Sequence, residues 1–189
     1  MPRCIALLRA VNVGGRTVRM ALLRAEFEAL GLAPVETYIA SGNVIFETRA
    51  RDLEALQQRI EARLNATLGF AVHTFIRTAA ELAAITDHAA DHATFDPAEV
   101  AAAGTFVVGF FAQPLDAAAL RTVAGFNTDA DRFQAHGREL YWLSRQRQNE
   151  SAFSNAVFEK ALHVRATFRG IATLRKLAAK LDDTKAAPG

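Results

Sequence analysis

Cys4-Ile-Ala-Leu-Leu8, then Arg9-Ala-Val-Asn-Val-Gly-Gly-Arg16, then Met20, Leu23, Phe27 and Leu30 at three- and four-residue spacing: these decide how the chain folds. The first run is short and wholly apolar, as a strand buried on both faces requires. The second is a polar, glycine-bearing loop. The third is the apolar stripe of an amphipathic helix, which Gly31 is placed to end. Working outward, Pro34 to Ile39 reads as a second strand, Ser41-Gly42-Asn43 as a turn, and Val44 to Thr48 as a third strand. Asn–Gly chemistry supplies the positive φ of tight hairpins. Leu53, Leu56, Ile60, Leu64 and Leu68 stripe a second helix, and Phe70 to Ile76 reads as a fourth strand. The order β-α-β-β-α-β is the split, ferredoxin-like pattern.

A helix from about Ala79 to Ile85 leaves this unit, and the Ala-, Asp- and His-rich piece from Asp87 to Ala103 reads as a connection. Within it Asp96 and Pro97 suit the N-cap and first position of a short helix. The pattern then repeats. Strands are expected at 105–111, 132–135, 139–144 and 164–168, with a turn at Gly137. Helices are expected at 115–124 and 152–162, the latter capped by Ser151. Ile171, Leu174, Leu177 and Leu181 stripe a last helix, and the tail from Lys185 to Gly189 reads as frayed. The fold expected is α+β: a ferredoxin-like lobe over 1–86, a connection over 87–103, and a second such lobe with an added terminal helix over 104–189. Ile5-Ala-Leu-Leu8, Phe106 to Phe111 and Leu140 to Leu143 are apolar on both faces, so something must cover the second face of each sheet. The other half of the chain and a second copy of it are the two candidates.

The totals bound the partners. At 189 residues there is room for one large core or two small ones. Hydrophobic residues make 51% and charged residues 22%, too apolar for a disordered chain. A net charge of +2 does not make nucleic acid the default partner. Its distribution is more informative. Arg3, Arg9, Arg16, Arg19 and Arg24 precede the first acidic residue, Glu26, and between Arg145 and Lys180 eight cations face only Glu150 and Glu159. One cysteine, Cys4, forbids an internal disulfide and fits a reducing cytoplasm. No signal-peptide pattern stands at the N-terminus and no run is long enough to span a membrane, so the expectation is a cytoplasmic protein.

In a β-α-β-β-α-β unit the loop after the first strand, the turn between strands two and three, and the start of strand four share one edge. Arg9, Asn12, Gly14, Gly15 and Arg16 should therefore lie near Ser41, Gly42 and Asn43, with Leu68–Gly69 alongside. Amides of a Gly-rich loop leading to a helix N-terminus, with arginines beside them, suit a phosphate or carboxylate. The competing reading makes Gly14–Gly15 a tight turn and leaves the arginines solvated. The loop is neither a dinucleotide fingerprint nor a P-loop, lacking the spacing of either, so no cofactor is indicated.

His88 and His92 stand four apart beside Asp87, Asp91 and Asp96, a chelating spacing on a helix, yet no third ligand is placed and surface histidines are the simpler reading; no metal is assigned. His73 and His136 have no visible nucleophile partner, so no hydrolytic triad is supported and no catalytic residue is named. Cys4 reads as core. Phe106, Phe110, Phe111, Tyr141 and Trp142 suit base stacking only if the second sheet resembled an RNA-recognition module, whose signature run is absent. Arg145 and Arg147 offer a second anion contact or a solvated loop.

Three stretches taken together resemble the bacterial domain-of-unknown-function family numbered 1697. They are Ile5-Ala-Leu-Leu-Arg-Ala-Val-Asn-Val-Gly-Gly15, Thr37-Tyr-Ile-Ala-Ser-Gly-Asn-Val44, and Gly137-Arg-Glu-Leu-Tyr141 with Ser154-Asn-Ala-Val-Phe-Glu-Lys160. Members carry a similar "LLRGINVGG" start and "TYIQSGNV" segment. The resemblance implies an α+β fold with ferredoxin-like halves and implies no activity, substrate or cofactor. Ala10 and Ala40 stand where the family often has Gly and Gln, and Thr167-Phe-Arg-Gly170 lacks the Asn-Trp of its T-R-N-W-like segment, which puts a role for Arg169 in question. Three expectations follow: a small anionic ligand at Arg9, Asn12, Gly14, Gly15, Arg16, Ser41, Gly42 and Asn43; nucleic acid at the basic C-terminal segment; or a homodimer without catalysis. Whether the chain is a monomer or a homodimer stays open at this point.

Overall fold

The computed structural model describes residues 1–12, 17–39, 42–92 and 94–182. The expected frayed tail at 185–189 lies outside them. The described residues form a mixed α+β fold with two four-stranded antiparallel sheets and seven helices. By packing, the chain divides into two compact units. One is Met1–Leu82 with the chain from Leu177 on; the other is Ala83–Lys176.

The first unit holds β1 (Arg3–Leu8), α1 (Met20–Glu28), β2 (Val35–Tyr38), β3 (Asn43–Glu47), α2 (Leu53–Leu68) and β4 (Thr74–Thr78). Its strand order is β2-β3-β1-β4. Cys4 pairs Phe46 on one side and Thr78 on the other. Cys4, Ala6 and Leu8 of β1 join Leu23 and Phe27 of α1 and Leu56, Ile60 and Leu64 of α2 in one core. Ile5, Leu7, Ile45 and Phe75 alternate with these and are equally buried, which is why the central strands read as unbroken apolar runs. The end of α7 (Ile171–Asp182) belongs to this unit. There Arg3 Nη1 donates to the Lys180 carbonyl at 2.7 Å, and Lys180 pairs with Glu36 of β2.

The second unit repeats the order with β5 (Thr105–Phe110), α5 (Ala117–Ala124), β6 (Asp131–His136), β7 (Glu139–Ser144), α6 (Asn155–Leu162) and β8 (Thr167–Gly170). The sheet runs β6-β7-β5-β8. Its core is aromatic: Trp142 stacks on Phe133 at 5.7 Å and meets Phe153 edge-on at 4.8 Å. Trp142 Nε1 donates to Asp131 at 2.8 Å, so the one polar atom of the ring is satisfied.

Several boundaries differ from the sequence expectation, each for a visible reason. Strand four starts at Thr74 rather than Phe70. Gly69 closes α2 in the left-handed region at φ +75, Val72 then drops into the core, and Glu61 of α2 accepts the Thr74 amide at 2.7 Å. The same device delays β8 from Val164 to Thr167, because Glu159 of α6 accepts the Ala166 amide at 2.8 Å. Helix α6 starts at Asn155, not Ala152. Ser154 caps it by accepting from Val157, while Ser151 accepts from Phe153 in the turn before.

Helix α3 (Ala79–Ala90) runs past Ile85, taking residues 87–90 out of the expected connection. Thr78 and Glu81 accept each other's amides at 2.8 and 3.2 Å, a capping box, and Leu82, Ile85 and Ala89 carry the buried stripe onward. In α4 (Pro97–Ala101), Asp96 accepts from the Ala98 amide and Pro97 takes the first turn, as the sequence suggested. Asn43 is the first residue of β3 rather than part of the turn.

Candidate functional site

The exit of β1 is held on both sides. The Leu8 amide donates to the Gly42 carbonyl and the Arg9 amide to the His73 carbonyl, both at 2.8 Å. The end of β1, Gly42 at the entry to β3, and His73 before β4 therefore share one rim of the first sheet. Gly42 has φ +77, and a Cβ there would stand 3.0 Å from the Leu8 Cβ and 3.2 Å from that of Val11. Only glycine lets the corner approach the β1 exit this closely.

Of the eight residues the sequence assigned to a ligand at this rim, four are described. Arg9 is half-buried and lies one residue past the Leu8–Gly42 bond. Asn12 has φ +58, and its Oδ1 accepts from the Val18 amide, tying the two ends of the loop together. Asn43 is fully buried opposite Leu7, and its Nδ2 donates to the Tyr38 carbonyl at 3.1 Å, closing the β2–β3 corner from within. Gly42 makes the close approach. Gly14, Gly15, Arg16 and Ser41 lie outside the described residues.

Three of the four non-glycine residues at positive φ among the described residues lie at this rim, the fourth being His163 at the C-cap of α6. Ala10 and Asn12 have φ +58, and Ile39, half-exposed and β-branched, has φ +50. An L-residue pays roughly 1–2 kcal/mol for this region, and a β-branched residue there is an outlier. Helix α1 starts from Arg19 without a side-chain cap or an acidic residue in its first turn, leaving its N-terminal end electropositive.

Among the described residues two arginines are buried, and the sequence points only to the second of them, through the family resemblance. Arg77 of β4 is 1% exposed and Arg169 of β8 is 8% exposed. Each donates Nη1 to the carbonyl before it, Ile76 at 2.8 Å and Phe168 at 2.9 Å, and Arg169 also to Thr167 Oγ1 at 2.7 Å. Burial pulls the Arg169 guanidinium down to about 10. Nothing in a sequence distinguishes such arginines, because the residue type is ordinarily at the surface.

The remaining candidates fall elsewhere. His88 lies in the last turn of α3 and His92 beyond the helix end, so they are not one turn apart on a helix. Among the described residues no group of three or more His, Cys, Asp or Glu side chains is arranged to hold a metal. Cys4 is buried, and its thiol is pushed up to about 11 by burial first and the nearby charge of Glu81 second. Phe110, Phe111, Tyr141 and Trp142 are buried and Phe106 half-buried, the Tyr141 hydroxyl donating to Ile85 at 3.2 Å. Arg145 and Arg147 are exposed.

Residues 1–141 match the family model described as protein of unknown function, DUF1697. The chain belongs to the DUF1697 family. This DUF1697 chain is also similar in fold to a solved structure, that of the conserved bacterial protein SP0830 from Streptococcus pneumoniae. The two are 23% identical with a TM-score of 0.69, over 96% of this chain and 98% of that one. No curated protein matches the chain. No described helix of this DUF1697 chain is long and apolar enough to cross a membrane.

Proposed function

We propose that this DUF1697 chain binds a small phosphate- or carboxylate-bearing ligand at the rim where β1 ends. Arg9 and Arg16 supply charge, Gly14 and Gly15 backbone donors, and Ser41 an orienting hydrogen bond. Asn12 and Asn43 shape the site from within their own loops, each through a side-chain hydrogen bond to backbone. The observation that carries this reading is the Leu8–Gly42 hydrogen bond, which brings Gly42 to the β1 exit. Retained strain at Ala10, Asn12 and Ile39 supports it, because strained backbone gathers where a ligand is clamped.

We propose further that residues 1–86 and 104–189 form two ferredoxin-like lobes, joined through 87–103. Support comes from the strand orders β2-β3-β1-β4 and β6-β7-β5-β8 and from the repeated glutamate caps on the Thr74 and Ala166 amides. A lone buried thiol suits a reducing, cytoplasmic setting.

The test is a thermal-shift screen of inorganic phosphate, sugar phosphates, nucleotides and small organic acids. A ligand at a hundredfold its Kd adds ~2.7 kcal/mol to stability, a readily visible shift. Arg9→Ala should abolish the shift for every hit while leaving the unliganded transition in place. Hits indifferent to Arg9→Ala would remove the site.

A further inference from the structure

We propose that His88 and His136 form an acid-sensitive clasp, which holds the last turn of α3 against the β6–β7 hairpin while both imidazoles are neutral and releases it when they are protonated. The two rings stack with centroids 4.0 Å apart and planes 21° from parallel. Tyr141 packs on His88 at 4.9 Å, tilted by 56°. His88 belongs to the last turn of α3, while His136 ends β6 and pairs with Glu139 across the hairpin. The stack thus fastens a helix end to a hairpin within the second unit.

Two features make the contact depend on charge. Neutral imidazoles stack as aromatic rings do, but two imidazolium faces at this distance repel. In addition, His88 Nε2 is buried with no hydrogen-bond partner, so a proton added there would be a buried donor without an acceptor. The groups acting on His88 come from every element around it. Burial and the His136 ring oppose its charging, whereas Asp91 beyond α3 and Glu139 of β7 favour it; burial dominates and the His88 pKa is lowered from 6.5. The helix C-terminus also favours the cation, and the Tyr141 phenol is kept neutral by burial. Arg138, in the hairpin turn, donates its amide to Glu139.

The sign follows. A histidine harder to protonate when folded binds fewer protons than the unfolded chain at the same pH. Its stabilising contribution is complete above 6.5 and is lost as pH falls below that value toward the lower folded one.

The experiment follows the histidine ring protons by NMR and the urea midpoint of the full chain between pH ~8 and ~5.5, a window above most carboxylate titrations. In the wild type His88 should titrate below 6.5, with the urea midpoint falling over the same range. His136→Phe keeps a ring in the stack without its charge, so His88 should titrate higher in it and the acid-induced fall in midpoint should shrink. Wild-type titration of His88 at or above 6.5 would overturn the proposal, and needs no variant to fold. An undiminished fall in folded His136→Phe would overturn it equally.

Discussion

Arg63 of α2 donates its Nε to the carboxylate of Glu26 on α1, and Thr67, one turn along α2, donates to the same oxygen at 2.9 Å. The pair pins together the two helices that cover the first sheet. The Arg63 hydrogen bond, set against burial and aided by Thr67 and the Arg63 charge, lowers the Glu26 pKa from 4.5. A carboxyl lowered on folding contributes stability that is complete above the unfolded value and lost as pH falls through the folded one. Glu26→Gln should destabilise by about 1 kcal/mol at neutral pH, modest because Arg63 is 45% exposed, and should flatten the acid limb. Urea midpoints of both proteins at pH ~7 and ~3.5 decide it, and equal acid losses would refute the assignment.

Gly109 lies in the middle of β5 against the ring of Phe168 on β8. A Cβ there would stand 2.6 Å from Phe168 Cε1, and that ring is itself wedged edge-on to Phe158 at 5.7 Å. Gly109→Ala should therefore cost about 1–3 kcal/mol by overpacking. Adding Phe168→Leu should recover part of the loss, and a double-mutant cycle measures the coupling. Strict additivity would mean the alanine methyl finds room elsewhere.

Ala10 stands at φ +58, where glycine is relieved of the left-handed penalty. That penalty, ~1–2 kcal/mol, exceeds the ~0.5–1 kcal/mol of extra chain entropy glycine loses on folding. Ala10→Gly should raise stability by about 0.5–1 kcal/mol, and Ile39→Asn should act in the same direction. Thermal unfolding of both variants checks this; a lower midpoint in both would show that the strain is compensated locally.

Cys4 should resist modification in the native state. With its thiol pushed up to about 11, almost no thiolate exists at pH ~8, and the side chain is buried. A disulfide reagent should react at the rate of an ordinary free thiol only after denaturation. Rapid stoichiometric labelling of the folded chain would contradict this burial.

Periodicity alone carried the order of strands and helices. Leu56, Ile60 and Leu64 face the core because a helix repeats every 3.6 residues, and Cys4 to Leu8 reads as a strand because burial on both faces leaves no polar alternation. The family also stood in short local strings, as did the Asp96–Pro97 helix start. Tertiary structure alone decided what depends on partners distant in the chain. Glutamates on α2 and α6 accept the amides at the entries to β4 and β8, and Ser154 rather than Ser151 caps α6, with Phe153 between them in the aromatic core. Likewise, nothing in the sequence shows that the Asn12 and Asn43 side chains engage the backbone of their own loops. The physical reason is common to all of these. Hydrophobic period is a property of consecutive residues, whereas a hydrogen-bond partner is chosen only once the chain has closed upon itself.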